Sequence, residues 1–571
     1  MRIAITGIGI VSALGIGQKA NEEGLLNGQT AVRAPYILPT VHQEWPIGEV
    51  PLTNNELKER LGKPGEELIS RNILLGMLAA REAMADAKLK EEERHDMWFI
   101  NGTTVGGMDL TEQFAGELFD GDMTHAGILR QHLAAATGEA IAQDLGGMKE
   151  TATFSTACSS ALNAIITGAN LIRMREAKRV LVGGTEALTK FHLNGFASLG
   201  ILSEQVCKPF DKDRDGINLG EGAAYLVLEE ERAAQARGAK IYGYVAGYAN
   251  RCDAYHPTAS SPRGEGAFLA MQAALKMARL NPGKIDYINA HGTATPNNDA
   301  SEAVAIERVF GTSFDDRRWP EPRSTKNLTG HTTSASGSIE VVFCLMLMRK
   351  RGYQYTMNNA FGFGGNDSSI VLSAKPASLP NRYPYHFEAL RELSNVTDDL
   401  EVDQYISPMQ KRRMSPQMRR LTVAVHKELA RRGCKRPDGI VVCTKWGGIK
   451  PTLELLRTLI TEGEQNFSPS LFMQSTHNSP ATTLANVFGS HGYNTTCSVS
   501  DTNMPYAAGI EAIVPLKSGE AENVILCIFE EDVPQWSQWL EKAGIQNKPI
   551  AAACSYWRKE IIDPETDDTI D

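Results

Sequence analysis

Three residue types with complementary chemistry recur in distinctive settings: one cysteine, two histidines and a lysine–glutamate pair. Cys158 sits in "TATFSTACSSALNAII" (151–166), after a short strand-like run and before "SSALNAIITGANLIRM", which is apolar nearly all round and reads as a buried helix. A thiol at a helix start feels unpaired N–H groups and the positive dipole end, both of which favour thiolate. Ala157, Ser159 and Ser160 are small enough for a sharp turn and a close substrate. The plain alternative is an inert core cysteine. His291 lies in "DYINAHGTATPNNDASE", just past a strand, and His331 in "RSTKNLTGHTTSASGSIE", before a helix. Loops at the C-terminal edge of strands are where α/β folds place chemistry, although either residue alone also fits a surface or capping histidine. Lys326 stands five residues before His331 and Glu340 nine after it, which by itself is compatible with a solvated pair. In "NNAFGFGGNDSS" (358–369), glycines flank two Phe residues. That pattern predicts a turn where backbone approaches a ligand, or a simple β-turn.

The elements that must position these residues are legible in outline. A chain of 571 residues is too long for one core and implies two to four domain-sized units. A hydrophobic content of 42% with 22% charged residues is that of an ordinary globular protein, and the net charge of -10 argues against a nucleic-acid surface. Nine cysteines, an odd number with no CxxC pair, disfavour a disulfide framework or a zinc knuckle and point to a reducing, cytoplasmic setting. The opening "MRIAITGIGIVSALGIG" carries Gly7-x-Gly9, but no third glycine in the position a dinucleotide fingerprint needs and no cleavage box; it reads as a buried strand and a Gly turn. No apolar run approaches the length of a membrane span.

Apolar runs such as "RVLVGGTEA", "AAYLVLEE" and "SSIVLS" alternate with helical patterns such as "GAFLAMQAALKMARL", which predicts α/β architecture with largely parallel sheets covered on both faces. Composition places a linker at 375–404 and an acidic tail at 541–571. Between them the chain repeats itself. "ILRQHLAAATGEAIAQDLG" (128–146) matches "LFMQSTHNSPATTLANVFG" (471–489), "GTTVGGM" matches "CTKWGGI", and "AKRVLVGGTEA" matches "AENVILCIFEE". Run without gaps, the repeat sets Asp501 opposite Cys158, so the second copy lacks the thiol.

"TACSSALNAI", "KPFDKDRDGINLGEGAA", "HGTATPNND", "TKNLTGHTTSASGSIE" and "FGFGG" occur in the order and context of the β-ketoacyl-acyl-carrier-protein synthases, which residues 1–374 resemble. The resemblance implies a thiolase-like, five-layered α/β/α/β/α core, with 1–235 carrying the nucleophile and 236–374 the histidines. It implies Cys158 as the acylated nucleophile and His291 and His331 as the pair serving decarboxylation and condensation. Lys326 matches the structural lysine, paired with Glu340. Thr293 and Thr295 match the positions that hold the phosphopantetheine arm. Phe363 matches the gating phenylalanine, its N–H forming an oxyanion hole with that of Cys158. Two features depart from the family pattern: the stretch 332–358 is short, and the turn reads "GGND" where "GGTN" is usual. Residues 405–540 resemble the N-terminal-type ketosynthase-like domain of pigment and polyketide clusters through "YISPMQKRRMSPQMRRL" and "FMQSTHNSPA". With no second HGT or GHT motif, this extra α/β half-unit is expected to be nonreactive, shaping an acyl tunnel, docking a partner or stabilising a dimer, with His477 structural.

The implied reaction is a decarboxylative Claisen condensation in fatty acid, polyketide or aryl-polyene-like biosynthesis. Loss of CO₂ from a malonyl thioester yields the enolate without a strong base, neutral imidazoles stabilise the oxyanion, and a thioester on cysteine keeps the starter acyl group in place. No metal or redox cofactor is implied, since the phosphopantetheine arm arrives on the acyl carrier protein. The expected partners are that carrier protein, its acyl and malonyl thioesters, and a second chain in a homodimer or a ketosynthase–chain-length-factor heterodimer. A cysteine acyltransferase that does not decarboxylate, and a non-catalytic chain-length or scaffold subunit, are the alternatives.

Overall fold

The computed structural model describes residues 1–63, 65–311, 322–380, 386–395, 402–412, 414–500, 512–547 and 553–560, with backbone alone for 386–395 and 559–560. The strand Ile3–Ser12 is buried along its whole length. Its Gly7 and Gly9 lie where helix Arg71–Ala87 crosses: a Cβ on Gly9 would fall 2.0 Å from the Ala79 carbonyl oxygen, and one on Gly7 2.5 Å from that of Ala83. The glycine pair therefore serves close helix–strand packing, and the turn follows at Gly15.

The first sheet runs in the order Glu150–Phe154, Trp98–Gly102, Arg179–Glu186, Gly222–Glu230, Ile3–Ser12, and continues through Gly243–Cys252, Asn366–Ser373, Tyr355–Gly362 and Tyr287–Asn289. Trp98–Gly102 pairs in parallel with both its neighbours, as Tyr287–Asn289 does with Tyr355–Gly362. The remaining pairs in the middle of the sheet are antiparallel. The sheet is thus mixed where the strand composition predicted largely parallel pairing. Apolar runs report burial on two faces and carry no information about strand direction.

Two helices fill the layer between the halves of this sheet. Every residue of Ser160–Arg173 is buried, and Ser336–Arg351 packs beside it. Leu162, Ile165, Ile166, Leu171 and Ile172 are each at most 1% exposed, and burying such a side chain stabilises by roughly 1.5–3 kcal/mol. Helix Arg71–Ala87 covers one outer face and Glu265–Ala278 the other, which completes the five layers.

Residues beyond the core build a second parallel unit. Gly439–Thr444 lies between Tyr493–Ser498 and Asn523–Ile528, the arrangement of Trp98–Gly102 between Glu150–Phe154 and Arg179–Glu186. The two units join edge to edge. Phe154 faces Cys497 and Thr153 faces Ser498 in an antiparallel ladder, and the Ser155 N–H donates to the Thr496 carbonyl at 2.9 Å. Phe154 and Cys497 are equivalent in the gapless repeat, so the junction has local two-fold character: each unit presents the same edge to the other. Asp501, opposite Cys158 in that repeat, lies outside the described residues.

Two boundaries change. A strand, His386–Asn395, falls inside the 375–404 segment read as linker, and another, Ala553–Glu560, falls inside the 541–571 segment read as tail. They pair with each other, and the second extends the half-unit sheet beside Asn523–Ile528. Pro-rich and polar composition describes local preference, while an edge strand is held by a partner far away in sequence. All nine cysteines are free, and no helix among the described residues is long and apolar enough to cross a membrane.

The junction predicts a stability effect. Phe154 is fully buried there, so Phe154→Ala is expected to cost about 3–5 kcal/mol, read as a lowered urea midpoint.

Candidate active site

Strand Glu150–Phe154 ends at a turn in which Ala157 takes a left-handed φ of 53°. A single 3₁₀ turn, Ala157–Ser159, then leads into the buried helix. The second central helix begins the same way, with Thr333 at φ 39° and a 3₁₀ turn Thr333–Ala335. Strained non-glycine backbone of this kind costs roughly 1–3 kcal/mol and persists only where surrounding structure over-determines it. Here it aligns two helix starts, one carrying Cys158 and the other following His331.

Cys158 Sγ lies 3.1 Å from His331 Nε2. The His291 ring stands edge-on to that of His331, centroids 5.3 Å apart. The sulfur and one nitrogen of each ring all fall within 4.8 Å of one another, and all three residues are buried. By distance alone such a set would also fit a three-ligand metal site. The neighbouring Lys326 charge, which already depresses both imidazoles, works against a cation there.

Burial holds both imidazoles well below the ordinary histidine range, and Lys326 lowers them further. Both rings are therefore neutral. Burial pushes the Cys158 thiol up to about 12, against the pull of Lys326 and of the N–H groups of Phe363 and Cys158 itself. The helix-start reading expected a favoured thiolate; desolvation outweighs that, and the resting pair is thiol and neutral imidazole. Lys326 Nζ lies 2.5 Å from Glu340 Oε1, both side chains buried. Burial raises the Glu340 carboxyl to about 7 while the ammonium draws it down. The pair is thus an internal one, unlike a solvated surface pair.

Thr293 and Thr295 line an outer cavity of ≈ 410 Å³ that reaches Cys158 and both histidines, and their hydroxyls are 2.9 Å apart. Phe363 borders this cavity and also an inner one of ≈ 100 Å³. Its ring stacks on Phe196 at 5.7 Å. Gly364 and Gly365 beside it have φ of 89° and 76°, values that favour glycine. The inner cavity is walled by Met108, His132 and Phe191 from the core and by Trp446, Met473 and His477 from the half-unit. His477 directly precedes Asn478 at the start of helix Ser479–Phe488 and is held neutral by burial, at about 4. It lies outside the Cys–His–His cluster.

Three positioning groups escaped the sequence reading. Glu302 accepts the N–H groups of His291 at 2.9 Å and Gly292 at 2.8 Å. Ser336 Oγ lies 2.8 Å from His331 Nδ1. Glu186, fully buried, accepts from the Thr333 hydroxyl at 2.8 Å and the Thr104 N–H at 3.0 Å. The signal for Glu302 was present: Asp299 and Glu302 sit three apart at the start of helix Pro296–Phe310, on the face toward the His291 loop. Nothing local marks Glu186.

Models for the β-ketoacyl synthase N-terminal domain match residues 1–234 and again 390–562, and the C-terminal domain model matches 242–359. A 3-oxoacyl-[acyl-carrier-protein] synthase 2 from Staphylococcus aureus is 33% identical over 419 residues, 65% of this chain and 98% of the relative. One from Synechocystis is 32% identical over 409 residues, 65% and 97%. Among solved structures, the ishigamide ketosynthase/chain length factor superposes with a TM-score of 0.60 at 29% identity, over 66% of this chain and 99% of that one. The PfaC keto synthase–chain length factor covers 98% of this chain and 78% of its own, with a TM-score of 0.76; at 16% identity it speaks for the fold alone.

Two outcomes are expected. Glu302→Ala leaves two buried N–H donors without an acceptor, at about 1–3 kcal/mol each, while Glu302→Gln retains one; urea denaturation will rank them in that order. Burial holds His132 at about 3 in the folded chain. Below pH ~6.5 the unfolded chain takes up a proton there that the folded chain refuses. The stability of wild type relative to His132→Gln is therefore expected to fall by up to ~1.4 kcal/mol per pH unit on acidification toward pH ~3, measured by denaturation across that range.

Proposed function

We propose a reaction course from one premise: the chain belongs to the β-ketoacyl synthase family. It is a condensing acyltransferase that extends an acyl group held on Cys158 by two carbons taken from a malonyl thioester. The observation that carries this reading is the contact of Cys158 Sγ with His331 Nε2 at 3.1 Å, inside a buried cluster that includes His291.

In the first half-reaction an acyl-carrier protein enters, its phosphopantetheine arm running through the outer cavity past Thr293 and Thr295. The Cys158 sulfur attacks the acyl carbonyl as its proton moves to His331, and the carrier thiol leaves with that proton. The Phe363 and Cys158 N–H groups stabilise the oxyanion. The acyl chain then lies in the inner cavity, against Trp446 and Met473 of the half-unit.

In the second half-reaction a malonyl-carrier protein takes the outer cavity. The bond to its carboxylate breaks, CO₂ departs and the electron pair becomes an enolate. His291 and His331, held neutral by burial and Lys326, donate hydrogen bonds to the developing oxygen. Neutral rings suit this role, because a proton already on both nitrogens would invite protonation of the enolate before it could attack. Ser336 Oγ, 2.8 Å from His331 Nδ1, is a hydroxyl that serves as acceptor or donor, so His331 takes the Cys158 proton on a free Nε2 in the first half-reaction and presents Nε2–H to the oxyanion in the second. The enolate carbon attacks the Cys158 thioester, the C–S bond breaks, and Cys158 recovers a proton from solvent. The product is a 3-oxoacyl-carrier protein.

Intact mass of the chain after mixing with acyl-carrier proteins, then with malonyl-carrier protein, tests the course. Wild type and His291→Ala are expected to carry the acyl adduct and Cys158→Ala none, with condensation roughly 10²–10⁴-fold slower in His291→Ala. Acyl transfer with no gain of two carbons would replace this reading with a plain acyltransferase. No adduct at any chain length would make the chain a chain-length or scaffold subunit.

A further inference from the structure

The gate turn of the core is held from the half-unit. Asn478 Nδ2 donates to the Phe363 carbonyl at 2.8 Å, and Asn478 is buried at 4% exposure. The fit around it is close: a Cβ on Gly364 would meet Thr482 Oγ1 at 2.1 Å and Asn478 Nδ2 at 2.9 Å. From the opposite side, the Gly364 N–H donates to the Pro257 carbonyl at 2.7 Å. Three residues on, Asn366 Nδ2 donates to the Asn494 carbonyl at 2.5 Å, while its Oδ1 accepts from Ser159 beside the nucleophile at 2.6 Å. Phe363 itself stacks on Phe196, which meets Phe472 of the half-unit at 5.5 Å. The turn that carries the Phe363 N–H and the Phe363 ring is therefore fixed at both ends by the unit that has no nucleophile.

We propose that Asn478 is a positioning residue for condensation: by holding the Phe363 carbonyl it sets the gate between the two cavities and the aim of the adjacent N–H at the thioester oxygen. The inference rests on the condensing reading of the site. Asn478 makes no side-chain cap to its own helix, so its amide is free to serve the neighbouring unit. Its conformation is αR (φ -83°, ψ -1°), and no strain obliges an asparagine there. Two glycines with positive φ follow Phe363, so without the clamp the turn has other conformations within reach.

Asn478→Asp and Asn478→Ala in the full chain provide the test. Aspartate has the same shape and suits a helix N-terminus at least as well, so a merely structural role predicts unchanged folding and unchanged activity. A positioning role predicts a thermal midpoint like wild type, kcat for 3-oxoacyl product lower by about tenfold and KM for malonyl-carrier protein within about twofold. It also predicts that Cys158 is alkylated by iodoacetamide about fivefold faster or more, because the released turn opens the path to the sulfur. The alkylation rate decides the matter. A wild-type or slower rate in folded Asn478→Asp overturns the clamp, whatever the rate of condensation. If Asn478→Ala fails to fold, Asn478→Asp still gives the answer. If wild type yields no 3-oxoacyl product, the condensing reading fails separately, and alkylation alone reports on Asn478.

Discussion

Strand Glu150–Phe154 is the last that the core contributes to the sheet and leads into the turn that presents Cys158, so its outer edge cannot be left to water. An edge strand offers unpaired N–H and C=O groups, and solvent entry there would reach the first residues of the buried helix that follows Cys158. The chain meets this constraint with its own second unit, whose strand Tyr493–Ser498 completes the ladder. Much else follows from that pairing. It brings helix Ser479–Phe488 against the gate turn, sets Trp446 and Met473 into the inner cavity, and carries the sheet on to the strands near the C-terminal end. The half-unit is thus part of the site's construction although it contributes nothing to the Cys–His–His cluster.

Within the core the governing effect is desolvation. Cys158, His291 and His331 are held neutral by burial, which strips away most of the hydration that would support charge. The charge that remains, Lys326, is paired with Glu340 in the interior and biases both imidazoles further toward neutrality. A buried pair of this kind contributes little to stability on balance, since each ion loses its hydration. Its worth here is electrostatic placement: a fixed positive charge near atoms on which negative charge develops.

The residues of the site were legible in the sequence because each lies in a short motif whose local structure it dictates. "TACSS" must turn from strand to helix, "HGTAT" must leave a strand, and "FGFGG" needs left-handed backbone after Phe363. The fold of the core was legible through the same motifs and through runs too apolar to face water. Strand direction was not, and neither were the strands His386–Asn395 and Ala553–Glu560, whose pairing joins segments more than a hundred residues apart. Glu186 was equally silent, being a carboxylate whose meaning depends on Thr104, Thr333 and Ser334 arriving around it.

By itself the sequence marked Cys158, His291, His331 and the Lys326–Glu340 pair as candidates and showed a second unit with Asp501 in place of Cys158, because these rest on residue identity and short-range spacing. Only the tertiary structure decided that the thiol rests protonated, that the two units share one sheet through equivalent edges, and that Asn478 reaches the Phe363 carbonyl. Those outcomes depend on burial and on contacts between distant segments. Neither is a property of any short stretch of chain; both arise only when the whole chain has excluded water from its interior.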